Sequence, residues 1–473
     1  MKRIWQPVDI VRTLILAIFF LLVGIKGQPT EVQRLLESAR SYSDSGSPGQ
    51  AASAIAQAAE QVPWRSDLWE SAGVFALQAG DPQSALLYFQ RASEDDLSPT
   101  GYIAWGDAAE QTGDMVGAIH HWEAATQRAV SSEEALARLF KAHRQLRDYI
   151  AAADDLKTLI ALQPSNPLWN YQLGLLLASQ EPESALAYLE LAAETDPELA
   201  SPVRAVTDGI RSARRVDDPA FALVSAGRAL ASIGEWELAA AAFSQATRFR
   251  PDYAEAWAFL GETQQHTGGD SLPALTKAIQ FDPASVAANV FLALYWRRQE
   301  EYDQALVYLS NAADNDPENP ALQIEIGNTL AILGNLDDAY KHYQRAVDLA
   351  PNDPANWRQL AAFSINYDYR LQEIGLPVAR QAVLIDPKDP ASQDILGQTY
   401  ARMEIPLLAE RFFWRALEVD SGYAPAHLHL GALYLLQGDR SRAAYHLSKA
   451  SALSLQDAPA AAEASRLLQR YFP

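Results

Sequence analysis

The chain has 473 residues, 49% of them hydrophobic, and 59 acidic against 38 basic side chains give a formal charge of −21. That acidic balance excludes the broad basic footprint that phosphate recognition needs, so neither nucleic acid nor wide adhesion to anionic lipid is expected. The chain has no Cys, which excludes disulfides and thiolate metal sites. At the amino end Lys2, Arg3 and Arg12 precede the apolar run 13–25, and Lys26, Gly27 and Pro29 close it. The uncharged part makes roughly 20 Å of helix, short of the ~30 Å hydrocarbon core. Letting Arg12 snorkel adds Val8 to Val11 and brings it close to a full span. A secretory signal competes, but Leu22 before Gly24 and Ile25 before Gly27 make a poor cleavage site. A buried helix is the remaining alternative. Segment 1–29 is therefore expected to be an uncleaved single-pass membrane anchor. Positive charge ahead of the apolar run keeps the amino end cytoplasmic and places the rest of the chain on the other side.

From Val32 onward small and apolar residues recur at helical spacing. Ala305 and Ala339, Leu309 and Tyr343, Ala312 and Ala346, and Pro317 and Pro351 each lie 34 residues apart. A fixed period of this size is the mark of stacked repeats. The 66–99 stretch carries Trp69, Ala72, Gly73, Gly80, Ala85, Phe89 and Ala92; the last full one carries Leu430, Gly431, Tyr434, Gly438, Ala443, Leu447 and Ala450. This pattern resembles the tetratricopeptide repeat (TPR) family, from about Val32 to Asp457. The resemblance implies an all-α, right-handed solenoid of about twelve helical hairpins. Gly46, Gly80 and Gly113 fall in the hairpin turns, where a left-handed residue closes a helix.

In chain order, a first arm covers 32–199 and ends in a unit shortened at Gln180-Glu181-Pro182. An extra helix-sized segment, 200–219, then breaks the period. It carries Val203, Val206 and Ile210 on one face, and it also carries Arg204, Arg211, Arg214 and Arg215. Those cations complement the helix dipole, and a patch for an anionic partner is the alternative. A second arm covers 220–457, shortened at Gly268-Gly269-Asp270 and lengthened around Tyr367-Asp368-Tyr369. Segment 458–473 reads as a capping helix, which a solenoid needs to cover its last apolar face.

No Gly-rich phosphate loop, zinc-protease helix or nucleophile elbow is present. His427 and His429, like His120 and His121, are spaced so that they point to different sides of a helix, which is wrong for shared ligation. Trp105, Trp122, Trp257 and Trp357 occupy repeat positions and read as packing residues. No catalytic residue, cofactor, metal or small-molecule substrate is expected. The TPR resemblance implies a protein partner held along the first helices of the hairpins. Carried over position by position, the groove residues are Glu70, Asp107, Lys141, Arg144, Tyr171, Leu175, Arg228, Glu262, Leu294, Arg297, Ile324, Asn328, Arg358, Gln398 and Arg402. The lysine–asparagine clamp of chaperone-tail binders is absent, since Lys141 and Asn328 stand far apart. The asparagine ladder of sugar-transferring enzymes is missing too, with only Asn328 and Asn366 near suitable places. The expected function is a membrane-anchored interaction scaffold, or a permanent subunit of a membrane or envelope complex, with a carbohydrate-binding or enzymatic use of the groove as the lesser alternative.

Overall fold

The computed structural model describes residues 30–128, 132–454 and 457–472. The anchor segment 1–29 lies outside them; among the described residues no helix is long and apolar enough to cross a membrane. The described residues form helices and turns with no strand. They divide into two compact units, Met1–Ser212 and Ala213–Pro473.

The first unit holds hairpins of a first (A) and second (B) helix: Thr30–Asp44 with Pro48–Gln61, Ser66–Gln78 with Pro82–Phe89, Pro99–Gln111 with Met115–Arg128, Glu133–Gln145 with Tyr149–Leu162, and Pro167–Ala178 with Pro182–Thr195. Helix Ala200–Ala213 follows, with Val203, Val206 and Ile210 buried. The second unit continues with Pro219–Ser232 and Trp236–Phe249, Ala254–His266 and Leu272–Phe281, Val286–Arg298 and Tyr302–Asn315, and Pro320–Ile332 and Leu336–Leu349. Pro354–Asn366 and Leu376–Ile385, Pro390–Arg402 and Pro406–Val419, and Ala424–Leu436 and Arg440–Ala452 complete its hairpins. Helix Ala458–Tyr471 packs on the last pair, its Ala464 joining Leu447 and Ala450 in one apolar cluster.

Local chemistry explains the boundaries. Asn166, Asp218, Asn319, Asp353 and Asp389 each accept a backbone N–H of the helix they open, and each is followed by Pro at the first helical position. The side chain satisfies an orphan donor, and the Pro has no N–H to lose. Pro317 and Pro351 lie in the turns between hairpins, while Pro320 and Pro354 begin the next helix. Within hairpins a left-handed residue recurs at Gly46, Gly80, Gly113, Gly234, Gly268, Gly334 and Gly438, with φ between 72° and 89°. Arg147, Glu300, Asp368 and Glu404 hold the equivalent place at φ 60°, 62°, 52° and 59°, where a side chain is strained. Arg370, at φ 46°, adds a second such residue to the lengthened hairpin, which then takes a π-helical turn over Leu371–Gly375.

Helix contact is set by a recurring fit. A Cβ at Gly73, Gly227, Gly397 or Gly431 would lie within 2.7 Å of the ring or Leu side chain of Phe89, Phe243, Phe413 or Leu447 on the partner helix. The glycine is required by close approach, and the large residue fills the space it leaves.

Candidate functional site

The A helices lie side by side, and their polar residues are spent on ties between consecutive hairpins. Glu70 accepts from the Ser98 backbone N–H at 2.9 Å and from its hydroxyl. Asp107 takes both ends of the Arg138 guanidinium, at 2.5 and 2.9 Å, and the Trp122 indole N–H at 3.1 Å. Burial works against the charge on Arg138, but Asp107 and Glu134 outweigh it and hold its pKa above the ordinary value. Arg144 donates to Gln172, Arg297 to Glu325, and Arg358 to Asp389, the cap of the next A helix. Arg402 stands 3.8 Å from Asp368, and Gln398 donates to buried Asp394 at 2.8 Å. Asn328 accepts from the Tyr343 hydroxyl, whose pKa burial pushes well up. Most of the polar residues assigned to a groove by resemblance are thus lateral ties.

Leu175 is corrected outright. It is 0% exposed and belongs to the packed seam of its hairpin, because the A helix Pro167–Ala178 is apolar on nearly every side and its face cannot be read from periodicity. Tyr171 is half-buried, and Lys141 is exposed to solvent.

Several nominated residues converge in the second unit, on the A helices Pro219–Ser232, Ala254–His266, Val286–Arg298 and Pro320–Ile332. Here Leu294 and Ile324 are half-buried, Ile324 against the core cluster that holds Ile326 and Leu330, and the rings of Phe259 and Phe291 meet edge to face at 5.3 Å. Arg228 lies 5.2 Å over the Phe259 ring and 3.5 Å from Glu255. Glu262 receives Gln265 at 3.0 Å and His266 at 3.1 Å, and Arg298 approaches it at 4.0 Å. Gln265 in turn reaches the Phe291 carbonyl at 3.4 Å. The result is an aromatic and aliphatic patch framed by paired charges. Phe259 and Phe291, 32 residues apart, went unassigned in the sequence because an aromatic at a repeat position reads equally well as core.

Trp105 and Trp122 are buried, while Trp257 and Trp357 are half-buried and donate to the carbonyls of Pro251 and Pro351 at 2.7 and 2.8 Å. His121 stacks on Trp105 at 3.9 Å, and burial, with His120 beside it, lowers its pKa to about 4. His429 pairs with Asp394 at 2.8 Å; burial opposes its charge, the carboxylate prevails, and its pKa is raised. Among the described residues no group of His, Asp and Glu is arranged to hold a metal ion.

Models of the tetratricopeptide repeat match residues 36–101, 137–200 and 224–268, and residues 297–362. The chain belongs to the tetratricopeptide repeat family. It is similar to the anaphase-promoting complex subunit CDC16 of Saccharomyces cerevisiae, 26% identical over 192 residues. That match takes in 40% of this chain and 23% of the relative's length. Among solved structures, yeast Tom70 is 14% identical over 93% of this chain and 96% of its own, with a TM-score of 0.42. A Cut9–Hcn1 hetero-tetramer of APC/C is 17% identical over 93% and 90%, at 0.37. A TPR protein from Parabacteroides merdae is 15% identical over 52% and 98%, at 0.43.

Proposed function

We propose that this TPR protein is a membrane-anchored scaffold that holds a partner protein, or a subunit of a membrane or envelope complex, on the A-helix face of its hairpins. The observation that carries this reading is the pair of half-buried rings Phe259 and Phe291, with Arg228 over Phe259 and the Arg228–Glu255 and Arg298–Glu262 pairs beside them. Half-buried apolar groups beside polar groups that need nothing more favour an apolar anchor from a partner over a polar small molecule. The anchor rests on the basic and apolar pattern of residues 2–29, and the positive charge ahead of the apolar run supports an orientation with the repeats outside the cytoplasmic membrane. Tethering then raises the local concentration of the partner at the membrane.

The test is photo-crosslinking from a benzoylphenylalanine placed at Leu294 in the full chain in intact membranes, with the same probe at Phe281 on a B-helix end. One discrete protein adduct from Leu294 and none from Phe281 is the expected result. Adducts from Phe281 alone would move the partner to the other face. Protease accessibility in sealed vesicles reads the sidedness separately. The similarity to a subunit of a large assembly supports a second reading, a permanent complex subunit. Co-purification that survives high salt would favour it.

A further inference from the structure

Several A helices carry a side chain that reaches back to the loop before them. Asn170, Asn289 and Gln393 do so with amide N–H groups, donating at 2.9–3.0 Å to the carbonyls of Pro164, Pro283 and Pro387. His427 takes this place in the last hairpin, its Nε2 3.3 Å from the Ser421 carbonyl. A carbonyl only accepts, so His427 carries its proton on Nε2 and presents a bare Nδ1. That Nδ1 faces Nδ1 of His446 at 2.9 Å, and His446 must be the donor. Both rings are buried, 7% and 2% exposed.

The same register occurs three hairpins earlier with different chemistry. There His342 Nδ1 lies 2.8 Å from Oε1 of Gln323, an amide oxygen that accepts from a neutral or a charged imidazole alike. His446 has no such tolerance. Its first extra proton must go to Nε2, within a shell made by Trp414, Tyr434 and Tyr445, whose rings are 5.1–5.6 Å away. A second must go to His427 Nδ1, which sets two N–H donors and two charges head to head.

We propose that the His427–His446 contact is an acid-sensitive latch that holds the C-terminal hairpin, Ala424–Leu436 with Arg440–Ala452, closed at neutral pH and releases it in a mildly acidic compartment. The charged neighbours do not cancel the effect. From helix Pro406–Val419 Glu410 faces His446 and favours its charge, but that carboxylate is already engaged by Arg442 at 3.5 Å and by the Tyr434 hydroxyl. Arg442 and Lys449, on the pair's own hairpin, oppose protonation of His446 and His427. In the capping helix Glu463 is paired with Arg466. Burial, then His427, lowers the His446 pKa to about 4, and burial lowers that of His427. Each folded value lies below the unfolded one, so the stabilisation is complete above about pH 6.5 and is lost as pH falls below it. His429, on the same helix, has the opposite sign. Its raised value gives stability that is fully present below about pH 6.5, so it is constant across the acid window.

Native-state hydrogen exchange of the full chain, corrected for intrinsic rates, tests the latch. Between pH 6.5 and 4.5 the opening equilibrium of residues 424–452 should rise by about 100-fold for each proton taken up on opening, tenfold per pH unit. The Pro320–Ile332 and Leu336–Leu349 hairpin should respond too, because burial also lowers the His342 pKa, but by less, since its partner Gln323 takes up no proton. His427→Gln recreates the Gln323–His342 arrangement and should keep protection at pH 7.5 while cutting the acid response at least tenfold. Should that variant fold poorly, imidazole titration of the unmodified protein by NMR decides the matter. Folded values for both rings near 6.5, or equal loss of protection in both hairpins, would overturn the proposal.

Discussion

Gly106→Ala adds one methyl group where the structure has no room for it. The new Cβ would lie 2.5 Å from Trp122 Cδ1 and closer still to Nε1, against the 3.4 Å or more of ordinary contact. Trp122 is 1% exposed, and its N–H is held by Asp107 at 3.1 Å and the Ile103 carbonyl at 3.3 Å. The indole must therefore retreat by about an ångström, which overpacks the seam at about 1–3 kcal/mol. Losing the hydrogen bond to an ionised acceptor adds roughly 1–3 kcal/mol, and the gain in helix propensity returns about 1 kcal/mol. The net expectation is a loss of about 1–5 kcal/mol. Because a repeat array need not unfold in one step, the readout is hydrogen exchange of the hairpin 99–128 alongside urea denaturation by circular dichroism. In a Trp122→Leu background the same Gly106→Ala change should be neutral or stabilising. Strict additivity of the two substitutions, or a loss below about 0.5 kcal/mol in the parent, would refute the steric reading.

Leu175→Glu places a carboxylate at a position with 0% exposure, so it should destabilise the hairpin Pro167–Ala178 and Pro182–Thr195 by several kcal/mol, seen as lost exchange protection there. Tyr171→Glu, at a half-buried site, should cost less. Glu300→Gly removes a side chain from a left-handed position, and relief of about 1–2 kcal/mol outweighs the added chain entropy of roughly 0.5–1 kcal/mol. A rise in the urea midpoint is expected, and a fall would mean that the Glu300 side chain makes a contact worth more than the strain.

The hairpins were legible in the sequence because the period and the small-to-large pairing are both local, as Ala305 with Ala339 and Leu309 with Tyr343 demonstrate. The candidate site was less so. Arg138 and Asp107, or Arg358 and Asp389, are 31 residues apart, and nothing in one strand of text says that such residues will meet rather than face a ligand. Position within the repeat gives the face of a helix but not what the next helix brings to it. Leu175 failed for another reason: in a helix whose surroundings are apolar on most sides, hydrophobicity carries no direction. The partnership of His427 with His446, 19 residues on, was likewise hidden, since spacing along one helix was the only geometry open to inspection.

The sideways joining of Arg138 to Asp107, Arg297 to Glu325 and Arg358 to Asp389 leaves an A-helix face that is crowded with charge yet electrically quiet. A visitor would be kept there by fit and dehydration, while the chain's net charge of −21 still makes its rate of arrival depend on added salt. Salt would also weaken these rungs and slacken each hairpin's grip on the next.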